Sequence, residues 1–107
     1  MSKPLQIATG PIYRAVKPIR DPERRRFVKR FPCIGCGRTW GIDAMHTGPH
    51  GLSQKACDFT TLPGCRKCHQ QFDADPRGFA REHQIDIPAQ VRNINALYAQ
   101  HVRGKAA

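Results

Sequence analysis

Four of the five cysteines fall into two pairs whose spacing suits a metal ion. Cys33 and Cys36 form one Cys-x2-Cys pair, and Cys65 and Cys68 form the second. Each short turn can aim two thiolates at a common point, so two such pairs can bind one tetrahedral Zn²⁺. A disulfide framework is the alternative, but the pairing and the leftover Cys57 favour zinc in a reducing compartment. We therefore predict a structural zinc site with four thiolate ligands.

A histidine and a carboxylate follow the second cysteine pair and could form a second metal site. His69 and Asp73 are four positions apart, so on a helix their side chains project together. With few other hard oxygen ligands, Mg²⁺ would retain several waters and depend on a substrate phosphate, whereas Mn²⁺, Ni²⁺ or a second Zn²⁺ also suits imidazole. Alternatively, His69 only caps the zinc site or lies beside its ligands, and Asp73 is a surface acid paired with a nearby arginine or lysine.

His46, between the two cysteine pairs, is the candidate general base. A neutral histidine can activate water, and phosphodiester hydrolysis also needs a cation over the developing charge. His46 could instead be an inert histidine at the end of a strand, or replace a cysteine as a zinc ligand. Three residues of the same region could support the chemistry by bracing a loop or contacting metal or substrate: Asp58, His50 and Lys55. His50 and Lys55 are equally compatible with a solvated loop.

Capping signals predict where the helices begin. Asp21-Pro22 followed by an acidic residue indicates a helix start, and this basic helix should run to about Arg30, before Pro32. Asp75-Pro76 indicates another helix by the same logic. A last helix is expected over residues 88–102, with Gly104 just past its end. Its apolar face is expected to contain four residues: Val91, Ile94, Tyr98 and Val102.

Two strands are expected between the first helix and the second cysteine pair. Residues 38–46 alternate loosely and should form the first strand, with Trp40 expected in the core rather than as a platform for base stacking. Residues 59–62 should form the second strand, stopped by Pro63-Gly64. A helix carrying His69 then begins at the second cysteine pair. Strand, loop, strand and helix around a metal form a ββα-metal arrangement. The predicted fold class is therefore α+β: a zinc-stapled ββα-metal core with flanking helices and a basic N-terminal arm.

Size and charge favour one small domain with a polyanionic partner. A chain of 107 residues has room for a limited core, which a zinc staple would supplement. Its net charge is +10, which favours nucleic acid. We expect residues 1–20 to be an extended basic arm and residues 21–107 a single domain. The densest basic cluster is predicted to contact DNA phosphates, although it could be a solvated face: Arg24, Arg25, Arg26, Lys29 and Arg30.

The order and spacing of these residues resemble the HNH endonuclease superfamily over about residues 31–74. Within it, the chain is similar to small prophage-encoded nucleases of the YbcO type and to the phage recombination-enhancement nuclease Ref. The matching segments are Cys33-x2-Cys36, Ala44-Met45-His46, Gly51-Leu52-Ser53-Gln54-Lys55 through Asp58, and Leu62-Pro63-Gly64-Cys65-x2-Cys68-His69-x3-Asp73. The resemblance implies that His46 is the general base and that His69 and Asp73 bind the catalytic ion.

The chain departs from that family's pattern at two positions. Met45 stands where many members carry an aspartate or histidine as a metal ligand, and a thioether does not suit a hard cation. The asparagine usual in the middle of the motif is missing, so Asp58, Thr60 or Thr61 would have to replace it. Both departures reduce the number of protein ligands expected at the catalytic ion.

The expected function is therefore metal-dependent hydrolysis of DNA in phage or prophage DNA processing or recombination, in the cytoplasm of a bacterial or phage-infected cell. The cofactors would be a structural Zn²⁺ and a catalytic Mg²⁺ or Mn²⁺. The alternative is a non-catalytic zinc-stabilised DNA-binding module; an RNA-binding zinc ribbon is less favoured because nothing resembles a base-stacking sheet. No apolar run is long enough to cross a membrane, and no signal peptide is recognisable. The sequence favours no particular DNA structure as the substrate.

Overall fold

The computed structural model describes residues 19–48 and 57–106 of the chain. These residues form an α+β arrangement of four α-helices, a two-stranded antiparallel sheet and a short 3₁₀ turn, which confirms the α+β part of the predicted fold class. Within this part of the chain, none of the helices has the length and apolar character needed to span a membrane. The elements in chain order are α1 (Pro22–Val28), β1 (Ile42–His46), the 3₁₀ turn (Asp58–Thr60), β2 (Thr61–Cys65), α2 (Arg66–Ala74), α3 (Pro76–His83) and α4 (Ile87–Ala106).

The second strand differs from its prediction because it passes through Pro63 and Gly64. β2 pairs with β1 in a register that places Pro63 opposite Ala44 and Gly64 opposite Asp43. Its five residues are all buried. A Cβ at Gly64 would lie 2.9 Å from the Met45 Sδ atom, so glycine is needed there for close packing. The expected strand stop is therefore wrong: both residues serve the packing of the hairpin.

The predicted helix starts at Asp21 and Asp75 are confirmed, whereas the last helix extends beyond its predicted end. The Asp21 carboxylate accepts a hydrogen bond from the Arg24 amide at 3.1 Å, and the Asp75 carboxylate accepts one from the Gly78 amide at 3.0 Å. The last helix begins at Ile87 and continues through Gly104 to Ala106. Of its apolar face, Ile94 and Tyr98 are buried but Val102 is 41% exposed, so the packed face is shorter than the apolar pattern.

The core lies around the cysteines. Buried apolar side chains from α1, both strands, α2, α3 and α4 form one cluster with Cys33, Cys65 and Cys68. A Cβ at Gly35 would lie 2.8 Å from the Cys68 Sγ atom and 3.1 Å from the Phe79 ring, so the first cysteine loop packs closely on α2 and α3. The core therefore depends on the geometry of the cysteine loops.

Trp40 was expected in the core, and this prediction is wrong because its side chain is 68% exposed. It precedes β1 and lies in a loop between Gly37 and Gly41, which have φ angles of +79° and +65°. These left-handed backbone conformations favour glycine and turn the chain before the strand begins. The alternation that suggested a longer strand therefore ends inside a turn.

Arg24 is buried, which corrects its prediction as a DNA contact. The whole residue is 0% exposed. Its guanidinium donates to Asn95 Oδ1 at 3.0 Å, to Thr61 Oγ1 at 3.0 Å and to the Thr61 carbonyl at 3.1 Å. Burial lowers its pKa, while nearby acidic groups oppose that shift. Arg24 therefore joins α1 to β2 and α4 instead of facing a ligand.

We predict that Arg24→Met destabilises the protein by about 2–4 kcal/mol, because it removes three hydrogen bonds and leaves buried acceptors unpaired. Urea denaturation followed by circular dichroism measures this change. Arg26→Met is the matched control, since Arg26 is exposed on the same helix, and its effect should stay within about 0.5 kcal/mol. Equal stability of the two variants would contradict the structural role of Arg24.

Candidate metal centre and histidine sites

The four paired cysteines converge as their spacing predicted. One Sγ atom from each of Cys33, Cys36, Cys65 and Cys68 lies within 4.8 Å of the other three. The Sγ atoms of Cys36 and Cys65 are 3.7 Å apart. Tetrahedral zinc with Zn–S bonds of about 2.3 Å separates its sulfurs by about 3.8 Å, which this spacing matches. The donor set and its geometry therefore fit one structural Zn²⁺.

Backbone hydrogen bonds shape the first cysteine loop. The Cys33 amide donates to the Arg38 carbonyl at 2.8 Å, and the Gly37 amide donates to the Cys33 carbonyl at 2.9 Å. The amides of Gly35 and Cys36 point at the Cys33 Sγ atom, at 3.3 and 3.5 Å. Amides directed at sulfur favour the thiolate form, which is the form that binds metal.

The second pair joins the sheet to a helix. Cys65 ends β2 and occupies the N-cap position of α2, and Cys68 lies in the first turn of that helix. The Ile34 amide donates to the Pro63 carbonyl at 2.8 Å, which attaches the first loop to β2. The cysteine cluster therefore lies where α2 leaves the hairpin.

The thiols influence one another strongly. Burial acts to raise the pKa of Cys33, but the amides of Cys36, Cys65 and Gly35 outweigh it and lower that pKa to about 6. Burial raises the pKa of Cys68, and the neighbouring thiolates of Cys33 and Cys65 raise it further. Four thiolates this close repel one another, so a divalent cation is the natural counterion for the cluster.

We predict that Cys65→Ser removes zinc and unfolds the domain, because binding of a structural zinc contributes on the order of 10 kcal/mol to folding in small zinc domains. Elemental analysis should find one zinc per wild-type chain, and thermal melting should show the loss of structure. Cys57→Ser is the matched control, because Cys57 lies outside the converging group. A wild-type protein without zinc, or a Cys65→Ser variant with unchanged melting, would contradict the zinc assignment.

The first histidine is held by a buried carboxylate. His46 Nε2 lies 2.8 Å from Asp58 Oδ1, and Asp58 is fully buried. Asp58 also accepts hydrogen bonds from the Asp21 amide at 2.7 Å, from Arg20 at 3.1 Å and from Arg25. Of the alternatives for the missing asparagine, Asp58 is thus the residue in contact with His46.

The ionisation of Asp58 determines how His46 presents its ring. Burial acts to raise the pKa of Asp58, but hydrogen bonds from the Asp21 amide, His46 and Arg25 lower it to about 2. An ionised carboxylate only accepts hydrogen bonds, so Nε2 of His46 carries the proton that it donates. In the neutral ring, the lone pair is then on Nδ1, which can take a proton from water.

The second histidine lies between two carboxylates. His69 Nδ1 is 3.0 Å from Asp43 Oδ2, and His69 Nε2 is 3.5 Å from Asp73 Oδ2. The hydrogen bond from His69 lowers the pKa of Asp43, and Arg66 contributes in the same direction. Two ligands about 2.1 Å from one ion at a tetrahedral angle lie about 3.4 Å apart, so Nε2 and the Asp73 carboxylate could share a divalent ion.

Asp43 is a site residue that the sequence reasoning missed. Its carboxylate accepts from His69 and, at 3.1 Å, from Arg66, so it connects β1 to α2. A carboxylate on the outer nitrogen of a ligating histidine fixes the tautomer and raises ligand basicity. The sequence does show that Asp43 lies in the predicted strand ahead of His46. Its contact with His69 on α2, however, depends on the strand register.

The structure brings some of the predicted site residues together and leaves others apart. Among residues 19–48 and 57–106, the cysteines are the one group of three or more potential ligands that converges, and His69 with Asp73 supplies a pair. Arg26, Lys29 and Arg30 are exposed on or after α1, whereas Arg25 is half-buried beside Asp58. His50, Lys55 and most of the predicted N-terminal arm lie outside the described residues.

Comparison with known families places this set of residues within one family. Residues 17–100 match a family model described as "Protein of unknown function (DUF968)". No curated protein and no solved structure matches the chain significantly. The family match spans more than half of the sequence and includes both cysteine pairs, His46, Asp58, His69 and Asp73. The chain therefore belongs to the DUF968 family.

Proposed function

We propose that this protein is a metal-dependent DNA endonuclease of the HNH, or ββα-metal, type that acts in phage or prophage DNA processing or recombination. One observation carries the proposal: a histidine oriented by a buried carboxylate and a helical histidine–carboxylate pair lie on the same cysteine-stapled hairpin–helix unit. The first can deprotonate water, and the second can bind a divalent ion. Phosphodiester hydrolysis requires both.

In the proposed reaction, His46 accepts a proton from the attacking water at Nδ1. The Asp58 carboxylate, bonded to Nε2 at 2.8 Å, holds the ring and stabilises the imidazolium that forms. Asp58 remains fixed because Asp21, Arg20 and Arg25 bond to the same carboxylate. This arrangement supports a base that is oriented before the substrate arrives.

His69 and Asp73 would hold the divalent ion, which supplies positive charge at the scissile phosphate. Met45 cannot assist, because it is fully buried and packs against Gly64. Asp43 orients His69 from the other nitrogen, so it acts as a positioning residue. With two protein ligands proposed, waters and the substrate phosphate would complete the coordination of Mg²⁺ or Mn²⁺.

One residue of each group lies on β1. Asp43 and His46 are three positions apart on the strand, which corresponds to about 10 Å. The exposed cations Arg26, Lys29 and Arg30, together with the net charge of +10, favour a polyanionic substrate.

A non-catalytic zinc-stabilised DNA-binding module is the second candidate. It is favoured by one observation: each histidine already has a carboxylate partner within the fold, and Asp58 is at the centre of four hydrogen bonds. In that case the carboxylates would serve the fold alone. Cleavage assays on plasmid and branched DNA with Mg²⁺ or Mn²⁺ distinguish the two functions.

We predict that His46→Ala lowers DNA cleavage by about 10²–10⁴-fold, since the base that activates the water is lost. Zinc content, melting temperature and DNA affinity should stay close to wild type. Plasmid nicking measures the activity, and His83→Ala is the control because His83 lies on α3 and bonds to Gln71. Full cleavage by His46→Ala, or loss of its zinc, would contradict the assigned role.

We predict that His69→Ala and Asp73→Ala lose activity in a way that higher Mn²⁺ concentrations partly restore, because these residues bind the ion. Asp43→Asn should raise the half-saturating metal concentration by roughly 10–100-fold, since it disturbs the orientation of His69. Metal titrations of cleavage measure both effects. Glu82→Ala is the control, because it removes an exposed acid on α3 and should leave the metal dependence unchanged. If the site variants and this control show the same metal dependence, this ion site is ruled out.

A further inference from the structure

Trp40 is the single tryptophan of the chain and its side chain faces solvent. At 68%, it is the most exposed large hydrophobic residue of the region that the structure describes. Its loop is anchored at the metal centre, because the Cys33 amide donates to the Arg38 carbonyl at 2.8 Å and Gly37 and Gly41 make the turns. The zinc framework thus holds a large flat apolar surface outward.

Arg38 covers one face of the Trp40 ring. Its guanidinium carbon lies 4.3 Å from the ring centroid, which is the geometry of a cation–π contact. This contact orients the indole and leaves its other face to a ligand. A flat aromatic ring beside an arginine is the combination that binds single-stranded nucleic acid, with the ring stacking on a base and the cation attracting a phosphate.

The position of Trp40 relates it to the proposed cleavage site. Trp40 is three positions before Asp43, a span of at most about 10 Å because Gly41 turns the chain, and Asp43 contacts His69. Stacked nucleotides are about 3.4 Å apart along one strand, so this span corresponds to at most about three nucleotides. Arg66, 74% exposed and bonded to Asp43, adds positive charge nearby.

We propose that Trp40, oriented by Arg38, stacks on an unpaired base of single-stranded DNA a few nucleotides from the scissile phosphate. In a fully paired duplex both faces of each internal base are already stacked, so this contact selects DNA with an unpaired segment. DNA as the partner rests on the proposed function, but the stacking contact does not require cleavage. Recognition by stacking is tolerant of sequence, because every base has a flat face.

The intrinsic fluorescence of the protein tests this contact directly, because Trp40 is the one tryptophan present. Wild-type protein, without added divalent ion, is titrated with a 12-nucleotide thymidine strand, with an abasic strand of equal length and with a blunt duplex. The thymidine strand should quench the fluorescence. The abasic strand carries the same phosphates without bases and should bind more weakly with little quenching, as should the duplex.

Affinity of variants for a labelled thymidine strand, measured by fluorescence anisotropy, completes the test. Trp40→Ala should weaken binding by about 5–100-fold, and Trp40→Phe should retain most of the affinity. Leu97→Ala is the control, as it removes an exposed apolar side chain on α4. Equal quenching by the abasic strand, unchanged affinity of Trp40→Ala, or a fluorescence change that follows self-association without DNA would overturn the proposal.

The outcomes separate this proposal from the proposed function. If Trp40→Ala binds and cleaves like wild type while His46→Ala does not cleave, the stacking contact is wrong and the nuclease assignment stands. If thymidine strands quench Trp40 but no cleavage occurs with Mg²⁺ or Mn²⁺, the stacking contact stands and the nuclease assignment fails.

Discussion

The convergence of four cysteine sulfurs is the constraint on which the rest of this structure depends. Cys33 and Cys36 lie before β1, Cys65 ends β2 and Cys68 lies in α2, so the cysteine cluster joins the loop, the hairpin and the helix. Four thiolates repel one another unless a cation lies between them. The core is small and includes three of these cysteines, so a metal bound there would both stabilise the fold and set the angle of α2. His69, one residue after Cys68, is placed by that angle.

A second set of buried charges attaches the outer helices to the hairpin. Asp58 and Arg24 are both fully buried, and each is surrounded by hydrogen-bond partners from different elements. Burial of such charges is costly unless they are well hydrogen-bonded, which is the case here. One consequence is that the basic face of α1 is divided. Arg24 lies on the buried side with Phe27 and Val28, and Arg26 points to solvent.

Both candidate catalytic histidines are supported in the same way. Each donates from one ring nitrogen to a carboxylate whose pKa is lowered, Asp58 for His46 and Asp43 for His69. The donated proton fixes the tautomer of the ring and leaves the opposite nitrogen for chemistry. The free nitrogen differs, being Nδ1 in His46 and Nε2 in His69. In the proposed reaction, this difference lets Nδ1 of His46 act as the base, while Nε2 of His69 faces Asp73.

The sequence by itself determined the features that depend on near neighbours. The Cys-x2-Cys spacing, the Asp-Pro helix starts and the i, i+4 relation of His69 and Asp73 are local patterns, and they were predicted correctly. Tertiary structure alone decided which of several similar residues meets a distant partner. It buried Arg24 between β2 and α4, paired His46 with Asp58, and brought Asp43 to His69.

Tertiary structure also decided that Trp40 is exposed and that β2 continues through Pro63 and Gly64. Hydrophobicity and turn propensity describe a residue's own preference, whereas its burial is set by the elements that pack against it. Trp40 follows the metal-anchored loop and precedes the sheet, so its apolar character did not place it in the core. Pro63 and Gly64 stay in the strand because the Pro63 carbonyl accepts from Ile34 and Met45 packs on Gly64, contacts that exist only once the chain has folded.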